Sequence, residues 1–225
     1  MDAHTIYENV LQIKAQLALG NPFGEAVTLV AATKMQDAEI INAAIAAGVD
    51  AVAENRVQEF NAKTQLLSPC PQHFIGHLQT NKVKYLVGKI ALFHSCDRYD
   101  LAQEIARVSL QRGVVSNLLI QVNIGEEATK GGFDYAEARL AYQRIKAMDG
   151  VRVKGFMAML PHSEDEALLT SLAKRMRTLF DEVKAEDSEV EFLSMGMSGD
   201  WKLCVACGSN MIRVGSTIFG ERNYG

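Results

Sequence analysis

Thr28-Leu29-Val30-Ala31-Ala32-Thr33-Lys34 passes from apolar and small residues straight into a polar pair. Such a run suits a strand buried on both faces of a parallel sheet. The residues from Asp37 to Gly48 read as a helix closed by glycine. A strand leading directly into a helix is half of a β/α crossover. In folds built from such units, ligands sit at the carboxyl ends of the strands. Lys34 is therefore expected at the functional end of the first strand. A lysine there is ordinarily a solvated end residue, so the rest of the chain has to decide whether this one does more.

Outward from Lys34 the pattern alternates. Upstream, Ile6, Val10, Ile13 and Leu17 mark an amphipathic helix over residues 3–19, ended by Gly20-Asn21-Pro22. Downstream, strand-like runs cover Asp50–Asn55, His73–His77, Leu92–Cys96, Asn117–Asn123, Val151–Met159, Glu191–Met195 and Met211–Gly215. Between them lie helix-like runs at 56–67, 81–87, 98–111, 134–148, 164–185 and 201–207, with a loop at Gly125–Gly132. Strict alternation implies a parallel sheet. Eight units in about 200 residues fit a closed (β/α)₈ TIM barrel with an extra N-terminal helix. An open doubly wound sheet is the alternative, but no G-x-G-x-x-G follows the first strand. No linker or low-complexity segment divides the chain, so residues 1–225 are expected to form a single domain.

Composition narrows the function classes. The 225 residues are 48% hydrophobic and 22% charged, with a net charge of −4. That balance gives no electrostatic case for nucleic acid or an anionic membrane. No apolar run approaches the roughly 18 residues of a membrane span. Met1-Asp2-Ala3-His4 does not open a secretory signal. Cys70, Cys96, Cys204 and Cys207 are too scattered for a disulfide framework, and a reducing cytoplasm is expected.

If the barrel closes, its mouth collects Lys34, Asn55, His77, Asn123, Met159, Met195 with Ser198, and Arg213 with Gly215 and Ser216. Leu193-Ser-Met-Gly-Met197-Ser198-Gly199-Asp200 follows the seventh strand and starts a helix. Arg213-Val-Gly215-Ser216-Thr217 follows the eighth. The loops after strands seven and eight form the recurring phosphate site of this fold, where backbone N–H groups suit a dianion. An amine across the mouth from a phosphate clamp suggests a phosphorylated aldehyde, since a partly desolvated lysine can attack a carbonyl. Pyridoxal phosphate fits, and so does the sugar-phosphate substrate of a Schiff-base aldolase.

Ala32-Thr33-Lys34, Glu54-Asn55-Arg-Val-Gln58-Glu59, His73-Phe-Ile-Gly-His-Leu-Gln-Thr-Asn-Lys82, Leu193-Ser-Met-Gly-Met-Ser198 and Arg213-Val-Gly-Ser-Thr-Ile-Phe-Gly220 together resemble the YggS/PROSC family. These are pyridoxal phosphate homeostasis proteins, similar to the barrel domain of alanine racemase. The resemblance runs from about residue 5 to the end. It implies that Lys34 carries the cofactor as an internal aldimine and that Arg213 faces the pyridine nitrogen. A guanidinium keeps its proton, so that nitrogen would stay unprotonated and the cofactor would be a weaker electron sink. Ser198, Gly215 and Ser216 would hold the phosphate, with Ser216 standing where the family pattern has threonine. Asn55 would lie near the ring hydroxyl, and Met197 would offer a backbone contact.

Alanine racemase has a second, β-rich domain whose tyrosine is one of two catalytic bases. The β/α units fill this chain, so that base is expected to be missing and the site open to solvent. The expectation is a carrier that binds, buffers and delivers pyridoxal phosphate to apo-enzymes, a monomer with no catalytic residues of its own. A racemase or Schiff-base aldolase is the alternative. Cys204-Val-Ala-Cys207 lacks partners for a zinc site, so no metal is expected. His73 and His94 read as core or loop residues, Lys174-Arg-Met-Arg177 as a solvated helix face, and Asn81-Lys-Val-Lys84 as a basic stretch near the mouth.

Overall fold

In the computed structural model, residues 2–127 and 130–220 are described. Helix α1 (Ala3–Leu17) precedes β1 (Thr28–Ala32), α2 (Ala38–Ala46), β2 (Ala51–Glu54), α3 (Val57–Lys63), β3 (Gln72–Phe74) and β4 (Leu92–Cys96). Then come α4 (Tyr99–Arg112), β5 (Ser116–Asn123), β6 (Phe133–Asp134), α5 (Tyr135–Lys146), β7 (Val151–Ala158) and α6 (Glu166–Glu186). The last elements are β8 (Phe192–Ser194), α7 (Trp201–Ala206), β9 (Met211–Val214) and the one-turn α8 (Ser216–Phe219). Every strand pairing is parallel. The order β4-β3-β2-β1-β9-β8-β7-β5 closes on itself through β4–β5. This is the eight-stranded barrel expected from the alternation, with the N-terminal helix in place.

Two elements had no signal in the sequence. β4 ends against Ile120, while β5 runs on to Asn123. The two-residue β6 takes up that exposed edge by pairing with Val122 and Asn123. A strand of two residues is too short to show a period. The second is α8, a single turn after β9. Of the loop expected over Gly125–Gly132, residues 128 and 129 lie outside the described residues.

Side chains alternate along each strand between the barrel interior and the helical shell, as the pleat requires. Val30, Ala51, Ala53, Leu92, Leu119, Met157 and Met211 pack together inside. Leu29, Ala31, Val52, Ile212 and Val214 face outward, against the side of α1 that carries Ile6, Val10, Ile13 and Leu17. All four of those α1 residues are buried, as the helical spacing required. Each contributes about 1.5–3 kcal/mol by burial. Asp2 caps the helix by accepting the Thr5 N–H at 2.8 Å.

The basic stretch on α6 is not a uniformly solvated face. Arg177 is buried. It donates to Glu25 at 2.6 Å and to the Gly208 carbonyl at 2.9 Å, and its guanidinium stacks 3.8 Å over the Phe23 ring. It shares the core-facing side of α6 with Met176 and Phe180. It ties that helix to the turn before β1 and to the turn after α7. Among the described residues, no helix is long and apolar enough to cross a membrane.

Candidate functional site

Lys34, Asn55, Met197, Ser198, Arg213, Gly215 and Ser216 all line one open cavity of about 270 Å³ at the carboxyl ends of the strands. Ala32, Ile75, Met159 and Gly199 complete its wall. The barrel's alternation explains the selection. Ala32, Asn55, Ile75, Met159 and Arg213 each lie two residues beyond an inward-facing position: Val30, Ala53, His73, Met157 and Met211. The cavity is the open top of the barrel interior, so the same period that builds the core builds its floor.

Three residues expected at the mouth go elsewhere. Met195 follows the inward-facing Ser194, so the pleat turns it outward into the shell core. His77 swings outside the cavity to pair with Asp97 at 2.9 Å, and its side chain is 67% exposed. Asn123 holds its own loop, donating to the carbonyls of Glu127 at 2.9 Å and Lys130 at 3.3 Å.

Lys34 sits in a tight turn closed by the Gln36 N–H on the Thr33 carbonyl at 3.1 Å. The next residue, Met35, has φ 61°, an uncommon conformation for a side-chain-bearing residue. Three groups hold this turn from β2 and α3. Glu59 accepts the Met35 N–H at 2.6 Å. Lys63 reaches Glu59 at 2.9 Å, Glu54 at 3.1 Å and the Thr33 carbonyl at 3.3 Å. The Thr33 hydroxyl donates to Glu54 at 2.7 Å. Burial would raise the Glu59 carboxyl, but the Lys63 ammonium and the Met35 N–H outweigh it and hold it below the usual range. At Glu54 burial wins over Thr33 and Lys63, and the carboxyl is pushed up. This brace was not found from sequence. Its signals were the quoted Glu54-Asn55-Arg-Val-Gln58-Glu59 segment and the Glu59/Lys63 helical spacing.

Asn55 is set by a close approach. A Cβ on Gly76 would stand 2.0 Å from the Asn55 carbonyl oxygen, so the β3 end can pass only as glycine. Asn55 Oδ1 is buried with no hydrogen-bond partner among the described residues. An orphaned acceptor in a cavity wall is a place for a ligand donor.

Arg213 forms the floor. It is 4% exposed. Its Nη1 donates to the Ser194 carbonyl at 2.9 Å and hydroxyl at 2.5 Å, and Nη2 donates to the Ala158 carbonyl at 3.0 Å. No carboxylate lies within ion-pair distance among the described residues. Burial lowers its pKa to about 10, which leaves it a cation at neutral pH. A buried cation held only by neutral acceptors makes the floor electropositive.

The opposite wall is the turn before α7 and the start of α8. Gly196, at φ 103°, turns the chain where a Cβ would press on Trp201. Ser198 Oγ accepts the N–H groups of Gly215 at 3.2 Å and Thr217 at 3.3 Å. With both lone pairs engaged, its hydroxyl proton remains available to a ligand oxygen. Ser216, at the first position of α8, has an N–H with no intrahelical acceptor. The two loops are thus joined through Ser198 Oγ, and what they offer a ligand is the Ser198 hydroxyl proton and the Ser216 N–H. The cysteine pair lies apart from it. Cys204 and Cys207 are buried in the shell core, and burial raises both thiols.

The chain matches the family model of the alanine racemase N-terminal domain over residues 1–223. It is 38% identical over 199 residues to a pyridoxal phosphate homeostasis protein of Aquifex aeolicus, covering 87% of each chain. Its structure is similar to PipY of Synechococcus elongatus with PLP bound. That likeness has a TM-score of 0.83 at 33% identity, covering 96% of this chain and all of that one. It also resembles an alanine racemase of Clostridium difficile, with a TM-score of 0.78 at 16% identity. There it covers 98% of this chain and 57% of the other, a likeness of fold alone.

Proposed function

The chain belongs to the alanine racemase N-terminal domain family, and from that premise we propose that it is a carrier of pyridoxal 5′-phosphate that serves cofactor homeostasis. The relatives named as pyridoxal phosphate homeostasis proteins support this reading, as does the PLP-bound structure of PipY. The residues fit the group. Lys34 offers the amine, Arg213 meets the ring nitrogen with N–H donors, and the orphaned Asn55 Oδ1 accepts from the ring hydroxyl. Ser198, Gly215 and Ser216 receive the phosphate, and the Met197 backbone borders it. Lys34 would hold the group through its amine, and an aldehyde there would supply the carbonyl that such an amine attacks.

Bound pyridoxal phosphate supplies an electron sink, and Arg213 weakens it. An Arg N–H donates to the ring nitrogen without giving up a proton.

One observation carries the non-catalytic reading. Among the described residues lining the cavity, Lys34 and Arg213 are the only ones with titratable side chains. Two-base racemisation needs a second proton carrier on the opposite face of the substrate, and an aldolase needs a proton-transfer residue beside its lysine. Neither is in the wall. The open mouth favours exchange of the cofactor over protection of a carbanion. We place the protein in the cytoplasm, as a single-domain monomer that delivers its cofactor to PLP-dependent apo-enzymes.

The test is the visible absorption spectrum of the purified protein beside Lys34→Ala. A yellow band in the wild type, reducible by borohydride to a lysine adduct and absent from the variant, supports the assignment. A protein that stays colourless with added pyridoxal phosphate overturns it. A robust amino-acid racemase or transaminase activity that disappears in Lys34→Ala overturns the carrier role alone.

A further inference from the structure

A line of buried polar side chains crosses the barrel interior, and beyond its first member it plays no part in the cofactor contacts above. It begins at Arg213 on the cavity floor and continues through Ser194 on β8 to His94 on β4. His94 Nδ1 lies 3.2 Å from the Ser194 hydroxyl, and His94 Nε2 lies 3.0 Å from His73 Nδ1. Ser194 and His94 are completely buried. His73 lines a cavity at the opposite, amino end of the strands, together with Thr28, Asp50 and Lys154. Buried polar residues inside a barrel are costly unless every proton has an acceptor.

Counting protons fixes the direction of the chain. A guanidinium only donates, so the Ser194 hydroxyl accepts from Arg213. The hydroxyl then has one proton to place, and His94 Nδ1 is the acceptor in reach. His94 therefore carries its own proton on Nε2 and donates it to His73 Nδ1, and His73 carries its proton on Nε2. The opposite sense, with His94 donating from Nδ1, gives Ser194 two donors and strands its own proton without an acceptor. Burial next to Arg213 keeps His94 neutral, which agrees with this single-proton assignment.

We infer that Ser194, oriented by His94 and His73, is the positioning residue that decides which N–H groups of Arg213 face the cavity. Both Nη1 protons are taken by Ser194, and one Nη2 proton is taken by Ala158. That leaves Nε–H and one Nη2–H for a ligand. The guanidinium is thereby held edge-on to the cavity by neutral acceptors, with no carboxylate to draw it aside. Without the Ser194 hydroxyl, one Nη1–H loses its acceptor in a buried site. The guanidinium then gains by turning that proton toward the ligand or toward water. This rests on the reading of the cavity as a pyridoxal phosphate site. There one of the two remaining donors meets the single lone pair of the ring nitrogen.

Two measurements test it. The first needs neither variant nor cofactor. Nitrogen-15 NMR of the histidine-labelled wild-type protein should show His94 and His73 both neutral, with protonated Nε2 and bare Nδ1. A proton on Nδ1 of His94 overturns the inference, whatever the protein binds. The second compares pyridoxal phosphate titrations of wild type, Ser194→Ala and Ser194→Thr. Ser194→Ala should keep the Lys34-dependent band but shift its maximum and weaken binding 5- to 30-fold, and Ser194→Thr, which keeps the hydroxyl, should restore both. An unchanged band and affinity in a folded Ser194→Ala overturns the positioning role. If Ser194→Ala does not fold, the tautomers decide. A wild type that shows the stated tautomers but takes up no pyridoxal phosphate overturns the functional reading and leaves the direction of the chain standing.

Discussion

Glu59 on α3 accepts the backbone N–H of Met35 at 2.6 Å, and Met35 is the residue that follows Lys34. The turn that carries Lys34 is therefore held by a carboxylate from a different β/α unit, across an uncommon backbone conformation. A hydrogen bond to a charged group contributes about 1.5–3 kcal/mol. Glu59→Ala removes it and leaves Lys63 to Glu54 and the Thr33 carbonyl. The expected outcome is a folded protein whose affinity for pyridoxal phosphate falls roughly 10-fold or more, read by absorbance titration. Unchanged affinity would mean the turn holds Lys34 without this brace.

Gly76 permits the passage of β3 beside Asn55. A methyl group there meets the Asn55 carbonyl at 2.0 Å, and backbone cannot yield as a side chain does. Gly76→Ala should cost about 1–3 kcal/mol or somewhat more. It should also displace Asn55, so that both the thermal midpoint and cofactor affinity drop. A midpoint within a degree of wild type would contradict the close approach.

The interior histidines make stability depend on pH in a definite direction. Burial lowers His73 to about 4, and His94 is held well below its ordinary value by burial, with His73 and Arg213 adding to it. Between the unfolded value near 6.5 and the folded value, only the unfolded chain takes up the proton. Stability is therefore fully present above pH 6.5 and is lost as pH falls toward 4. At pH 5 the loss from His73 alone is about 2 kcal/mol. Glu54, whose carboxyl is raised, works in the opposite sense. Comparing urea midpoints at pH 7 and pH 5 in wild type and His73→Gln isolates the histidine. The variant should show the smaller drop, and equal drops would refute the assignment.

Arg177 joins α6 to the turn before β1 through Glu25 and the Phe23 ring and to the turn after α7 through the Gly208 carbonyl, and pairs with Asp181 on its own helix. Removing one partner of a buried ion pair costs about 3 kcal/mol. In a chain of this size that is roughly 6–12 °C in thermal midpoint. Arg177→Ala should show that loss by calorimetry. Arg177→Lys should recover little of it, because an ammonium cannot make the fork and stack on Phe23 together. Full recovery by lysine would reduce the contact to simple charge.

The sequence by itself determined the order of the eight barrel strands and their main helices, and favoured closure into a barrel over an open sheet. It also named, as cofactor contacts, seven of the eleven residues that line the cavity, Met197 through the family resemblance. Each of these is a local or periodic property. Apolar strands, helical spacing and glycine stops are written in consecutive residues, and strand ends in a parallel barrel all point to one mouth. The buried stripe of α1, Ile6, Val10, Ile13 and Leu17, was fully legible for that reason. Tertiary structure decided what depends on which strand faces which. Met195 and Ser194 exchange inside for outside by a single residue of register, and β6 exists only because β4 stops short of β5. Glu59 meets Met35, Lys63 meets Thr33 and His94 meets Ser194, across 24 to 100 positions of sequence. Those contacts come from folding the barrel closed and leave no periodic trace. The sequence therefore names the residues at the mouth, and the packed interior beneath them decides how Lys34 and Arg213 are held.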